Sequence, residues 1–440
     1  MRLPTSPSAR RLTWCLLAAA AGAAFTVAAY WPGYMSPDSI SQLGQARSGL
    51  FTAIHPPLMA AVWRPLDALV AGPGLMLVLQ NLLFWGGAAL AVAACVEHPA
   101  APALVLALGL WPATLSGLST VWKDIQMGAS LMMATGLLLR AGPRRSPVSL
   151  AAAALFLFYA AAVRHNGLTA VLPLTVWWGV LVAPGGVRRR AWLGLGLGLA
   201  MTATIWGAVK LIDAALTRGR PLPPPEQAIM IHDVLGITLM TRQLYVPEYL
   251  LQQPETRGGA ALAALYHPLD LGGIFYDPMN LQLTSDPARL ATLRAAWLRA
   301  IAEHPGAYLE KRWAMMAFVL AWNPPYVRYP FHTGIDPNDL GVALERSPLN
   351  IAVQRLLDAL GQSLFFRGWI YLLASLAMLP LGLALRRPWW PALAVLASSF
   401  AYAGPYFFAA PSADFRYLWW CVLATLLLPI TLLAPPAPAP

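Results

Sequence analysis

Apolar residues along this chain gather into about ten stretches, each near the roughly 20 residues that a helix needs to cross a bilayer. They run from Leu12 to Tyr30, Leu75 to Val96, Ala103 to Leu118, Ile125 to Leu139, Val148 to Val163, Leu168 to Ala183, Ala191 to Ala215, Gly368 to Leu385, Trp389 to Ala410 and Tyr417 to Leu433. Several are shorter than ideal, which flanking Arg and Trp accommodate by snorkelling. The pattern predicts an all-α polytopic membrane protein with about 10 to 11 transmembrane helices.

Basic residues orient these stretches. Arg2, Arg10 and Arg11 precede the first, and further arginines fill the loops at Arg140, Arg144 and Arg145, at Arg188 to Arg190, and at Arg386 and Arg387. Alternate crossings put every one of these loops in the cytoplasm, with both termini. The first stretch is long for a signal peptide and ends in Tyr30-Trp31, an interfacial belt, so it reads as an uncleaved helix. The organisation follows: an amino-terminal bundle over 1–215 with a first outer loop at 31–73, an outer segment over 216–367, carboxy-terminal helices over 368–433, and a Pro/Ala tail at 434–440 expected to be disordered.

The outer segment contains a predicted amphipathic helix. Asp286 can cap it, Pro287 suits its first turn, and Leu290, Leu293, Ala296, Trp297, Ala300 and Ile301 recur at helical spacing. It leads to Trp313–Trp322, too short to span and closed by Asn323-Pro324-Pro325. That run reads as interfacial or re-entrant, because a crossing there would put Arg386 and Arg387 on the wrong side.

Composition narrows the class further. With 58% hydrophobic and 11% charged residues and a mean hydropathy of +0.56, the chain is not a soluble globular protein. The net charge of +11 lies largely in short loops, where it is a topology signal and not a nucleic-acid footprint. Cys15, Cys95 and Cys421 fall inside apolar stretches and read as packing residues. No repeat is visible and few ionisable or amide groups sit in mid-helix, Gln80, Asn81, Lys210 and Asp213 being the nearest; both points weigh against a transporter. Gly194, Gly196 and Gly198 read as a close-packing helix face, without the strand and turn that a nucleotide fingerprint requires.

Against this background, eight polar residues stand at or just beyond the ends of apolar stretches: Asp38, His55, Lys123, Asp124, Arg164, Asn166, Asp414 and Arg416. Threaded by charge, all of them fall on the outer side, and charges that only tolerate a bilayer have no reason to collect on one face. In the first loop a carboxylate within Met35-Ser36-Pro37-Asp38-Ser39-Ile40-Ser41-Gln42 is followed by Ala53-Ile54-His55-Pro56-Pro57-Leu58, a turn opening a second amphipathic helix. This loop resembles the first outer loop of the GT-C glycosyltransferases, membrane enzymes that use polyprenyl-phosphate-linked sugars and include mannosyl- and aminoarabinose transferases. Trp122-Lys123-Asp124, Arg164-His165-Asn166-Gly167 and Asp414-Phe415-Arg416-Tyr417 look like motifs of bacterial GT-C-like membrane proteins, so the resemblance extends along most of the chain. It implies a GT-C-like architecture, a bacterial inner-membrane location, a polyprenyl-phosphate-sugar donor, a cell-envelope acceptor and Asp38 in the position of the catalytic base. Ser39 stands where an Asp-Glu pair is common, which leaves the substrate subfamily open.

The chemistry is consistent with few groups. A sugar on a lipid phosphate carries its own leaving group, so the protein must take a proton from the acceptor hydroxyl and neutralise charge on the departing phosphate. Asp38 is the candidate base, and Lys123, Arg164 and Arg416 are candidates to hold the phosphate. Asp124 and Asp414 could position those cations, bind sugar hydroxyls or hold a divalent ion, and no metal spacing decides among these. Each residue also has a plainer use. Asp38 caps a helix starting near Ser39, Arg164 and Arg416 anchor at headgroups, Lys123-Asp124 is an exposed pair, and His55 shapes a turn. His232-Asp233 is a second acid/base candidate, weakened because neighbours on a helix point in different directions. The alternative functions are a lipid-linked glycan polymerase or ligase, or a non-catalytic transporter, flippase or assembly protein. A sugar-nucleotide transferase lacks an inner loop large enough for a nucleotide domain, so no nucleotide cofactor is expected.

Overall fold

The computed structural model describes residues 6–52, 55–142, 146–219, 222–275, 279–322, 330–384, 390–410 and 412–434. Among them the regular elements are all helices, with only isolated bridges between extended residues. The longer helices are α1 (Pro7–Tyr30), α2 (Pro37–Ser48), α3 (Pro57–Leu69), α4 (Gly74–Cys95), α5 (Ala101–Leu110), α6 (Lys123–Ala141), α7 (Pro147–Ala162), α8 (Gly167–Val182), α9 (Val187–Leu216), α10 (Glu226–Thr241), α11 (Pro287–Glu303), α12 (Pro305–Val319), α13 (Pro348–Leu360), α14 (Gly368–Ala384), α15 (Trp390–Ala403) and α16 (Trp419–Thr431).

Among the described residues, four stretches are helical, long and apolar enough to cross a membrane: α1, α4, α9, and α15 continued to Ala409. Helices α5, α7, α8 and α14, and α16 with the turn before it, are apolar but shorter. On α9, Trp192, Leu193, Leu195, Leu197, Leu199 and Trp206 are exposed, an arrangement suited to hydrocarbon and not to water. These apolar helices mark a membrane protein.

The stretch expected from Ala103 to Leu118 is not one helix. Pro112 has no N–H to give and forces Trp111 into an extended conformation (ψ 128°), so α5 stops at Leu110 and a short helix, Pro112–Gly117, follows. Beyond it the chain is non-helical up to Trp122. Helix interiors satisfy this broken backbone: the Gln80 amide donates to Leu118 O (3.0 Å) and Thr120 O (3.2 Å), and Gln126 donates to Gln80 Oε1. The mid-helix polar residues Gln80 and Asn81 are therefore bound to local partners, Asn81 accepting from Thr26 at 2.6 Å. Both are fully buried.

Glycine packing holds α8 to α9. A Cβ at Gly198 would lie 2.4 Å from Val176 Cα, and one at Gly179 would lie 2.2 Å from Gly194 O. Gly194 and Gly198 therefore pack backbone on backbone, while a Cβ at Gly196 would meet nothing within 4 Å. Gly198→Leu should destabilise the protein by about 1–3 kcal/mol and Gly196→Leu should leave it nearly unchanged, compared by thermal unfolding in detergent.

A second apolar core lies in the segment 216–367, where Ile231, Leu235, Leu262, Ile274, Leu293 and Ala300 pack together. Helix α11 starts at Pro287, with Asp286 accepting from Ala288 N at 2.9 Å. Leu293 and Ala300 are buried, and Leu290, Ala296, Trp297 and Ile301 half-buried, along the face that the spacing marked. Helix α12 ends in a turn at Leu320–Trp322, and Leu320 O accepts from Trp369 N at the start of α14. The expected stop at Asn323-Pro324-Pro325 lies outside the described residues, as do Arg2, Arg144, Arg145, Arg386, Arg387 and the tail from residue 435. The three cysteines are free and buried.

Candidate functional site

Three extended pieces from distant parts of the chain meet at the head of α2. Tyr34 N donates to Ser119 O (2.9 Å) and Val121 N to Tyr34 O (3.0 Å), while Met35 N donates to Gly334 O (2.9 Å) and Asp336 N to Met35 O (3.0 Å). Ser39 Oγ and the Trp122 indole then tie the first turn of α2 to the residues before α6, through Val121 O and Ser36 Oγ. That lacing fixes Asp38 opposite Lys123, which opens α6.

Asp38 lies in the first turn of α2, not at its cap position, and its carboxylate leaves the helix backbone for side chains of other elements. Its Oδ2 lies 3.1 Å from Lys123 Nζ and 3.0 Å from an Arg416 guanidinium nitrogen. Lys123 Nζ also donates to His55 Nδ1 at 2.9 Å. An ammonium only donates, so Nδ1 accepts, and the ring proton is assigned to Nε2, 3.7 Å from Asp38 Oδ1. Arg416 completes the group: its Nε faces Asp414 Oδ2 at 2.8 Å, its amide donates to Asp414 Oδ1, and its guanidinium lies 4.5 Å over the Trp122 ring.

A deeper set adjoins this one. Asp124, next in sequence to Lys123, lies 2.5 Å from an Arg164 guanidinium nitrogen, and both are buried. Arg164 Nε donates to Asn166 Oδ1 (2.9 Å), and its other arm donates to the Tyr406 hydroxyl (2.6 Å), which in turn donates to the Tyr402 hydroxyl (2.9 Å). The Tyr417 ring stacks on Tyr406 (4.8 Å) and stands 5.0 Å from the Arg164 guanidinium, so residues beside Arg416 also touch the deeper set. All eight polar residues singled out in the sequence thus stand in two adjoining groups. Neither arginine reaches outward as a headgroup anchor: Arg164 and Arg416 side chains are 7% and 11% exposed. Lys123-Asp124 is not an exposed pair, since its members face different partners.

No family model, curated protein or solved structure matches this chain. The site's chemistry therefore rests on its own geometry. Three carboxylates face three cations, so the cluster is internally neutral. Burial pushes the Asp38 carboxyl up, but Lys123 and Arg416 more than reverse this and hold it well below the usual carboxylate range. Burial raises Asp414, with Arg416 opposing. Among the described residues no three His, Cys, Asp or Glu side chains gather as metal ligands.

His232 and Asp233 converge despite being neighbours on α10, because Lys311 reaches both: its Nζ lies 2.9 Å from His232 Nδ1 and 2.9 Å from Asp233 Oδ1. Arg312 and the Trp297 indole take Asp233 Oδ2, and all four charged or imidazole side chains are buried. Sequence alone missed this ion cluster, although Lys311-Arg312 within an apolar helix was the available signal. It also missed Tyr402 and Tyr406, which share a helical face four residues apart.

Burial, with a neighbouring lysine adding repulsion, pushes both His55 and His232 down to about 3, so each imidazole is neutral near pH 7. Between pH 6.5 and about 3 the unfolded chain binds protons that the folded chain does not, so stability rises with pH across that window. Moving from pH 7 to pH 5 should cost about 2 kcal/mol per histidine. His232→Gln should remove about half of that slope in unfolding measurements at the two pH values.

Proposed function

We propose that this protein is an integral-membrane glycosyltransferase that moves a sugar from a polyprenyl-phosphate-linked donor to a cell-envelope acceptor at the periplasmic face of the bacterial inner membrane. One observation carries it: Asp38, a carboxylate with 19% of its side chain exposed, is held by Lys123 and Arg416, and α3, which follows its neighbour His55, lines an apolar groove. The groove, of about 670 Å³, lies between one face of α3 (Leu58, Val62, Leu66) and one face of α4 (Leu75, Val78, Leu82). It begins three residues past His55. On α4 it covers the level of Met76 and Gln80, whose partners Gln126 and Thr120 flank Lys123, and continues deeper to Leu82. A cationic head site and an apolar trough on the helix that follows His55 together suit a lipid phosphate.

In this reaction Asp38 takes the proton of the acceptor hydroxyl, and the acceptor oxygen bonds to the anomeric carbon. The bond from that carbon to the phosphate oxygen breaks, its electron pair leaves with the phosphate, and Lys123 and Arg416 neutralise the added charge. Direct displacement inverts the sugar carbon. Arg164 is too engaged with Asp124, Asn166 and Tyr406 to act first, and serves to set Asp124 and the base of α6. A topology of about ten to eleven crossings with both termini cytoplasmic belongs to the same proposal, supported by the loop arginines and by the resemblance to GT-C enzymes.

The test is transfer of radiolabelled sugar from polyprenyl-phosphate donors in membrane vesicles of both orientations. Transfer to acceptor supplied on the periplasmic side supports the proposal. Absence of transfer with every donor, or transfer only from the cytoplasmic side, rejects it.

A further inference from the structure

Asp38 Oδ2 is the shared partner of two cations. Lys123 Nζ at 3.1 Å and Arg416 at 3.0 Å converge on this one oxygen from α6 and from the turn before α16, while Oδ1 has the longer 3.7 Å approach to His55. Two donors from separate elements meeting at one oxygen is how proteins hold a phosphate oxygen. The other two carboxylates are fixed differently. Asp414 is bound into its own turn through the Arg416 amide, and Asp124 is buried against Arg164. With three carboxylates already opposing three cations, an added oxyanion finds no spare positive charge, and one carboxylate has to give way. Among the described residues, the two nearest partners of Asp38 are Lys123 and Arg416, the cations that the newcomer also needs.

We infer that the Asp38 carboxylate is an internal occupant of an oxyanion site formed by Lys123 and Arg416, and that a lipid phosphate enters by displacing it. The inference rests on assigning Lys123 and Arg416 to phosphate, and adds that binding and base activation are one event. A carboxylate clasped by two cations is a weak base. Once phosphate oxygens take over those cations, Asp38 is released toward His55 Nε2 and the acceptor hydroxyl, and its proton affinity rises. The enzyme is then a poor base until its donor is seated, which limits proton abstraction from stray hydroxyls.

The exchange predicts that the isosteric change Asp38→Asn binds phosphate more tightly, because an internal competitor is gone; a site occupied nine-tenths of the time hides about tenfold in affinity. The full chain in phosphatidylcholine nanodiscs is titrated with inorganic phosphate in one arm and with undecaprenyl phosphate in the other. A gain of about tenfold with both probes assigns the exchange to the oxyanion itself, and a gain confined to undecaprenyl phosphate assigns it to a lipid-borne one. Unchanged or weaker binding with both overturns it, as does an equal gain in Asp67→Asn, which removes the same charge from the first loop outside the site. Should Asp38→Asn fail to fold, infrared difference spectra of the native chain decide. Either probe must shift a carboxylate stretch, and a spectrum without such a shift overturns the exchange. Tighter binding by Asp38→Asn, with no transfer by the native chain, would keep the exchange and remove the transferase reading, whereas transfer by the native chain with unaltered affinity in the variant would do the opposite.

Discussion

Asp38→Asn is expected to lower sugar transfer by about two to four orders of magnitude, the usual contribution of a positioned general base. The change is nearly isosteric, so the lacing of α2 to Val121 and Met35 has no reason to move. What it removes is the ability to hold a proton. Turnover measured with a polyprenyl-phosphate-sugar donor at matched protein levels is the check, with thermal unfolding as the control. Loss of turnover at unchanged melting temperature places Asp38 in the reaction. Turnover within about threefold of the native chain would return Asp38 to a structural part in the first loop.

The second large effect lies away from the site. Arg312→Met should destabilise the outer helices by about 3–5 kcal/mol, because it strands Asp233 in a fully buried position with one cation where it had two. The same guanidinium donates to Ala410 O at 3.2 Å, while Ala413 N donates to Leu269 O at 2.9 Å. These contacts pin the approach to Asp414 and Arg416, so the variant should also lose activity before it loses its fold. Asp233→Asn added to Arg312→Met should not restore the stability, since it leaves the buried Lys311 ammonium without its carboxylate. Limited proteolysis and melting of the single and double variants check both statements, and a double variant more stable than the single one would mean that Lys311 does not depend on Asp233 for its charge.

The apolar stretches and the α11 cap were legible because each depends on neighbours in sequence: periodicity, a capping Asp, a Pro in the first turn. Gathering the eight polar residues needed only their shared position at the ends of apolar stretches. Their pairing was not legible. Which carboxylate meets which cation is set by the extended residues 34–35, 119–121 and 334–336, and such bridges have no local signature. The break at Trp111-Pro112 was visible as a proline but was submerged in an apolar stretch. The Lys311 bridge between His232 and Asp233 was hidden for a similar reason, since helical geometry describes where side chains start and not how far a lysine reaches.

The site draws Asp38 from near the start of the chain and Arg416 from near its end. A ribosome delivers these residues about four hundred positions apart, so the cluster cannot close until the turn before α16 has been made. Until then Lys123 alone compensates Asp38, and the Trp122 ring lacks the guanidinium that covers it. A chain that stops short of Arg416 therefore leaves Asp38 with one of its two cations, and the proposed transfer predicts no turnover from it.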